Sequence, residues 1–276
     1  MEVSEYIGAL RREGQLLASA AAAAGPDASV PTCPDWTVRD LVRHQGGVHR
    51  WAAEIVARPR TAPWRVDLDD VVSSWPADAE LVDWFRQGHA SLITALTQAD
   101  PELECWTFLP APSPLAMWAR RQAHETAVHR ADAELAAGAP LSPLAAPFAA
   151  DGIDELLMCF ITRPGGRLRA DPPRVLGVRC TDASGDWQVR IGHDGVETAH
   201  RADHAEPAGT TPGAGAADGA GGGAADGAGG ADCQVSGRAA EVYLALWNRQ
   251  PTESLGVEGD RQVLELFRNK VRIRWR

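Results

Sequence analysis

The sequence predicts an α+β fold, with an N-terminal four-helix bundle followed by a smaller α+β domain built on an antiparallel sheet. Three observations carry that expectation. Apolar residues recur at helical spacing in four segments before Gly138. Short alternating runs separated by Ser184-Gly185 and Asp194-Gly195 follow, as in a meander of strands. Finally, 45% hydrophobic residues in a chain of 276 supply enough apolar surface for a large core or two ordinary ones.

Val3, Ile7, Leu10 and Leu17 place an amphipathic helix over 3–20 that ends near Gly25-Pro26. A turn-rich stretch from Val30 to Trp36 leads to Thr37-Val-Arg-Asp40, an N-cap threonine with an acid three residues on, which opens a second helix running to about Val56. Leu81, Phe85, Leu92 and Leu96 mark a third. A fourth is expected from about Leu115 to Ala137, begun after Pro114 and stopped by Gly138 and Pro140. These segments make domain one, residues 1–140, and facing helices of such a bundle can carry a site in its interior.

From Pro147 the pattern changes, and residues 147–276 read as domain two. One more helix to about Ile161 precedes strands at Arg174–Thr181, Trp187–His193 and Val196–Ala202. Cys233–Ser236 reads as a further strand, Glu241–Trp247 and Val263–Phe267 as helices, and Val271–Trp275 as a closing strand. Between them, residues 208–231 are almost entirely Gly, Ala, Thr, Pro and Asp, a composition that predicts a disordered surface loop.

The net charge of -10, without a basic cluster, argues against nucleic acid and against an anionic membrane surface as partner, which leaves a small molecule. No run of about 20 apolar residues is present, and the N-terminus lacks the basic start of a secretory signal. Five widely spaced cysteines without a Cys-x-x-Cys pair fit reduced thiols in a cytoplasmic protein.

The residues able to carry chemistry lie on the second and fourth helices. At 100° per residue, Leu41, Val48, Trp51 and Ile55 all fall within about 60° of His44, so His44 points into the bundle, whereas His49 lies about 140° away on the polar side. On the fourth helix, His124-Glu-Thr-Ala-Val-His129 has one residue too many for a His-Glu-x-x-His zinc string, and its two histidines stand about 140° apart. Glu125 and His129 are four apart and about 40° from each other, a spacing that lets both reach one ion. Trp118, Gln122 and Asp132 share their stripe, and Ala123, Ala127 and Ala131 line the opposite side. Spacing alone leaves two arrangements open, one in which this polar stripe is solvated and one in which the bundle encloses it.

Val30-Pro-Thr-Cys-Pro-Asp-Trp-Thr-Val-Arg-Asp-Leu-Val-Arg-His44, with Gly47-Val-His-Arg-Trp51 behind it, resembles the N-terminal domain of the mycothiol-dependent maleylpyruvate isomerase family, a branch of the DinB-like metal-binding bundles. Trp118–Asp132 and Tyr243-Leu-Ala-Leu-Trp-Asn-Arg249 extend the likeness to both domains. The resemblance implies a sterol-carrier-like second domain, metal ligands at His44, Glu125 and His129, and a catalytic arginine at Arg249. It further implies a divalent ion such as zinc and mycothiol, a low-molecular-weight thiol, as cosubstrate. A His, Glu, His set leaves coordination positions open, as in catalytic sites.

The reaction expected is addition of the thiolate to a small electrophile, released again in an isomerase or retained in a thiol S-transferase. A carrier whose metal only staples the bundle is the alternative from another class, and open coordination argues against it. His49 and His124 are candidates for a surface position, for packing or for orienting ligands, and His89 is the substitute should His44 not serve. The sequence leaves the oligomeric state open.

Because residues 208–231 are expected to bury nothing, replacing them with a short Gly-Ser link should leave the melting temperature nearly unchanged. A large drop measured by calorimetry would show that the segment packs.

Overall fold

The computed structural model describes residues 1–64, 67–201 and 230–273. Four long helices dominate its first half: α1 (Val3–Ala24), α2 (Val38–Ala57), α4 (Leu81–Gln98) and α5 (Pro114–Ala136), with a short α3 (Leu68–Val71) between the second and third of them. Local chemistry sets their starts. Thr37 and Asp40 exchange the paired contacts of a capping box at α2, Asp40 accepting from the Thr37 N–H at 2.8 Å. The Ser113 hydroxyl accepts from the Ala116 N–H at 3.1 Å at α5, and Pro114 opens that helix.

Helix α1 packs along α5 and α2 along α4, so α5 lies inside the molecule. Residues around its whole circumference are buried, from Trp118 and Gln122 on one side to Ala123, Ala127 and Ala131 on the other. Of the two arrangements left open by helical spacing, the enclosed one is therefore the case.

The second half opens with α6 (Ala146–Asp154), which widens into a π-helical turn at Glu155–Phe160. Among the described residues a five-stranded sheet follows, in the order β3 (Val196–His200), β2 (Asp186–Ile191), β1 (Arg174–Cys180), β4 (Cys233–Gly237), β5 (Gly256–Gly259). The meander β1–β2–β3 is antiparallel, with Val178 opposite Trp187 and Val189 opposite Thr198. Strand β4 departs from the expected pattern, since it pairs parallel to β1 with Val178 opposite Val235, and β5 is antiparallel to β4. Helices α7 (Ala239–Leu246) and α8 (Arg261–Lys270) complete this half.

Two further elements depart from the sequence expectation. Strand β5 was not separately expected, because four residues bounded by Gly256 and Gly259 carry too little alternation to read. At the other end, residues 271–273 form no strand. The Val271 N–H donates to the Phe267 carbonyl at 2.8 Å and the Val271 carbonyl accepts from Asn248 Nδ2 at 3.0 Å, so this segment finishes α8 instead of joining the sheet. The rest of that expected strand lies outside the described residues, as does all of the 208–231 stretch except Gly230 and Ala231. No helix among the described residues is long and apolar enough to cross a membrane.

One apolar cluster runs from the bundle into the second half, joining Leu10, Ile55 and Trp118 to Phe148, Ile153, Val178, Tyr243 and Phe267. The halves meet closely where α6 crosses α7. A Cβ built at Gly152 would stand 2.3 Å from the Tyr243 ring and 2.8 Å from His124, so only glycine admits this approach.

Burial also encloses charges. Arg130, fully buried on α5, donates to Glu13 of α1 at 2.9 Å and to Glu134 at 2.5 Å, and Glu134 is held by the Ser142 N–H and hydroxyl. Glu13 would keep Arg12 and Glu134 would keep Ser142, but Arg130→Met removes the buried counter-charge the two acids share and should cost about 3–5 kcal/mol, far beyond its change in volume. Urea unfolding measures this, and a loss under about 1 kcal/mol would show that solvent reaches the pair.

Candidate metal centre

Three elements build the site. The capping box at Thr37 sets the phase of α2, so that His44, two turns in, faces α5. On α5, Glu125 and His129 project toward it from successive turns. Between α1 and α2 the chain folds back on itself, with the Val30 N–H donating to the Trp36 carbonyl at 3.0 Å, and this loop lays Thr32, Cys33 and Trp36 over the histidines. The Trp36 ring lies 5.0 Å from that of His44 and 6.0 Å from that of His129.

His44, Glu125 and His129 each offer one ligand atom, all within 4.8 Å of one another. Glu125 Oε1 stands 3.3 Å from His129 Nε2 and 3.6 Å from His44 Nε2. Despite burial, Glu125 Oε1 and His44 Nε2 have no hydrogen-bond partner. Orphaned buried acceptors are costly, and two that converge on one point fit a cation placed between them. No other group of His, Cys, Asp and Glu with this geometry occurs among the described residues.

The remaining atoms of these side chains are tied down from behind. Arg121 Nη2 donates to Glu125 Oε2 at 2.8 Å, and its Nη1 contacts Glu155 from the π-helical turn. The Arg121 guanidinium is also flanked by Phe160 and Trp247, 5.1 and 5.4 Å from the ring centres. Burial raises the pKa of Glu125, but Arg121 and the two histidines outweigh it, so this carboxyl lies well below its ordinary value and is an anion. With Oε2 held, Oε1 is the oxygen left to face the histidines.

Behind His129, Asp132 Oδ2 lies 2.8 Å from Nδ1. An ionised Asp132 accepts there, which keeps a ring proton on Nδ1; burial lowers the His129 pKa, but Asp132 and Glu125 outweigh it and raise it, so Nε2 would offer its lone pair to a cation that displaces its own proton. Asp132 is fully buried. It also accepts from Arg249 Nε and Nη2, both at 2.9 Å, and from the Thr32 hydroxyl. Burial would raise its pKa, yet Arg249 and His129 hold it well below the ordinary carboxylate range.

These groups face a cavity of about 560 Å³ walled by Trp36, Val128, Leu156 and Trp247, with Arg249, Arg268 and Arg272 on the side contributed by the second half. That volume suits a small organic ligand.

Comparison with known proteins shows the family. The model of the mycothiol maleylpyruvate isomerase N-terminal domain matches residues 7–134, and that of the MDMPI C-terminal domain matches residues 147–266. The chain belongs to the mycothiol-dependent maleylpyruvate isomerase family. Two solved structures are similar over nearly the whole chain. One is a mutant of the mycothiol-dependent maleylpyruvate isomerase, at 10% identity, TM-score 0.59, covering 94% of this chain and 93% of the other. The second is a crystal structure of the mycothiol-dependent maleylpyruvate isomerase, at 11% identity, TM-score 0.58 and the same coverages. At such identities the likeness is one of fold. No curated protein matches in sequence.

Within this family fold, the structure brings together all four site residues named from the sequence: His44, Glu125 and His129 as one cluster, and Arg249 one carboxylate behind it. Arg249 grips a residue of the protein itself: its two-pronged edge lies on Asp132. His49, His89 and His124, the other histidines named from the sequence, stand apart. His49 is fully buried, not on a polar side, because α4 and α5 enclose α2 there; it contacts Thr126 and Gln45 at 2.9 Å. His89 lies beside it and contacts the Leu10 carbonyl at 2.9 Å, away from the cluster.

The roles of Asp132 and Arg121 were not read from the sequence. Asp132 had a usable signal, since it lies three residues beyond His129 on the same stripe. Arg121 had none, because its partner Glu155 belongs to the other half.

His124 turns to the opposite side of α5, with Nε2 2.8 Å from Asp151, which also accepts from Tyr6 and Arg120. Burial raises the Asp151 pKa, but His124, Arg120 and Tyr6 bring it from 3.8 down to about 2. A carboxylate depressed on folding stabilises fully above its ordinary pKa, and that stability is lost as pH falls through the folded value. Asp151→Asn should therefore cost about 2 kcal/mol near neutrality, and the gap to the parent should close as pH falls from about 4 to 2. Urea melts at several pH values test this; a gap independent of pH would show that the carboxylate charge is not what is lost.

Proposed function

We propose that this chain is a metal-dependent and thiol-dependent enzyme of the maleylpyruvate isomerase type, with one divalent ion, zinc by the chemistry of its donors, held by His44, Glu125 and His129. The observation that supports it most is the convergence of two orphaned buried atoms, His44 Nε2 and Glu125 Oε1, beside His129 Nε2 at the floor of a cavity. Two histidines and one carboxylate, with no cysteine among them, leave coordination open for an exogenous thiol. Mycothiol is the thiol that the family relationship suggests.

The ion, when bound, would lower the pKa of a thiol brought to its open positions. The chain's own residues prepare that chemistry. Asp132 holds the His129 proton on Nδ1, and Arg249 cancels the Asp132 charge, so His129 meets the ion as a neutral, oriented imidazole. Arg121 restrains Glu125 to one oxygen. Trp36 and Trp247 wall the cavity and limit water around the reacting thiol.

A thiolate there would add to the activated double bond of a small electrophile. In an isomerase the double bond becomes a single bond, rotates, and re-forms as the thiolate leaves. A thiol S-transferase would use the same residues and keep the carbon–sulfur bond, the difference lying in the substrate's leaving group.

Purified protein should carry about one zinc or similar ion, with most of it lost in His44→Ala, Glu125→Ala and His129→Ala. His49→Ala and His124→Ala should keep it, because neither ring belongs to the cluster. Metal analysis by mass spectrometry on the parent and five variants decides. Retention in the three ligand variants with loss in the two controls would sink the assignment, and activity without added thiol would sink the mechanism.

A further inference from the structure

Three arginines line the cavity, and they differ in what neutralises them. The Arg249 guanidinium is matched by the Asp132 carboxylate across two bonds. Arg272 is exposed at the edge. Arg268 is half-buried in the wall and takes part in no ion pair among the described residues. Its Nε donates to Asn248 Oδ1 at 3.2 Å and its Nη2 to the Gln250 carbonyl at 3.0 Å, both neutral oxygens. Burial accordingly lowers its pKa, opposed only by the field of Glu253.

The anchoring is specific. Asn248 sits at φ 62° in the left-handed region, which asparagine tolerates better than most residues. Its Nδ2 donates to the Arg268 and Val271 carbonyls while its Oδ1 accepts from the Arg268 side chain, so one amide fixes both the end of α8 and the guanidinium plane. An arginine in the last turn of a helix ordinarily serves that helix's own carbonyls. Arg268 instead bonds to the connection after α7, and its Nη1 has no partner among the described residues. The Nε and Nη2 edge is held, and the Nη1 end is open.

We propose that Arg268 is the anion-recognition residue of this cavity, taking a carboxylate of the small-molecule substrate on its open Nη1 end while the reacting carbon faces His44, Glu125 and His129. The proposal rests on the enzyme reading for placing the reaction in this cavity, but not for the anion contact itself. A guanidinium held in place by neutral acceptors has lost part of its hydration without gaining a counter-charge, and an incoming carboxylate supplies one with little reorganisation. Arg249 cannot do the same without releasing Asp132, and with it the orientation of His129. The division of labour is therefore Arg249 for the histidine and Arg268 for the ligand. Substrates of this protein should carry a carboxylate removed from the electrophilic carbon, and neutral electrophiles should be poor ones.

Calorimetric titration of the full chain with succinate tests this, in metal-free and zinc-loaded protein, with dimethyl succinate and inorganic phosphate as comparison ligands. Saturable succinate binding is expected in both forms, none with the diester, and weaker binding of phosphate, which lacks the planar match. Arg268→Gln should weaken succinate roughly ten- to a hundredfold, the loss of one charge-assisted contact, with Arg268→Lys between it and the parent. Arg163→Gln, an exposed arginine elsewhere, should leave it unchanged and controls for net charge.

Equal succinate affinity in the parent and Arg268→Gln would overturn the proposal, including when the variant is less stable, since Arg268 would then only brace the Asn248 turn. Binding confined to the zinc-loaded form would assign the anion to the ion, and phosphate as tight as succinate would remove the carboxylate preference; either result overturns it. Failure of the protein to take up zinc would refute the metal reading alone, because metal-free titration still decides the role of Arg268.

Discussion

A carboxylate as fully enclosed as Asp132 survives as an anion only while every lone pair is answered. Here the answers come from three directions: His129 on its own helix, the Thr32 hydroxyl from the loop before α2, and the Arg249 fork from the segment after α7. Remove any one and the charge is left in a medium that cannot solvate it. The same atoms set the proton of His129 on the nitrogen turned away from the cavity. The electrostatic requirement of one buried acid thus determines which face of a histidine is presented to a cation.

Arg121 repeats the logic at Glu125. It is almost fully buried, shared between Glu125 and Glu155, and flanked by the Phe160 and Trp247 rings. In both cases an ion pair crosses from α5 to the second half of the chain. The cluster of His44, Glu125 and His129 lies within the bundle, as do Arg121 and Asp132, which orient two of its members, but the counter-charges of those two, Glu155 and Arg249, do not. This gives a physical reason for the second half beyond roofing the cavity: without Glu155 and Arg249, Arg121 would lose one acid and Asp132 its counter-charge. The apolar cluster shared by both halves, with Gly152 admitting Tyr243 against α6, holds these pairs in register.

What the sequence by itself determined is the part of the protein governed by local spacing. The capping residues Thr37 and Asp40, Pro114 at the start of α5, the apolar period of four helices, the alternation of β1 to β3 and the four-residue step from Glu125 to His129 are short-range quantities, and all are visible in one dimension. So was the inward turn of His44, because its helix is visibly amphipathic. The family relationship was legible as well, carried by the long string from Val30 to His44 and its two companions.

Tertiary structure alone decided the rest, because each remaining question concerned what stands opposite a residue from a distant part of the chain. Helix α5 carries polar and alanine faces of similar claim to the core, and only its enclosure by neighbours on both sides turned the polar stripe inward. His49 was buried for the same reason on α2. Residue 271, alternating like a strand, was captured by Asn248 from a turn 23 residues earlier. Arg249 and Arg268 are the same residue type in the same cavity wall, and nothing in their local sequence tells them apart. Their difference arises from long-range pairing, Asp132 opposite one and only neutral oxygens opposite the other, so one charge is neutralised within the fold and the other faces the cavity.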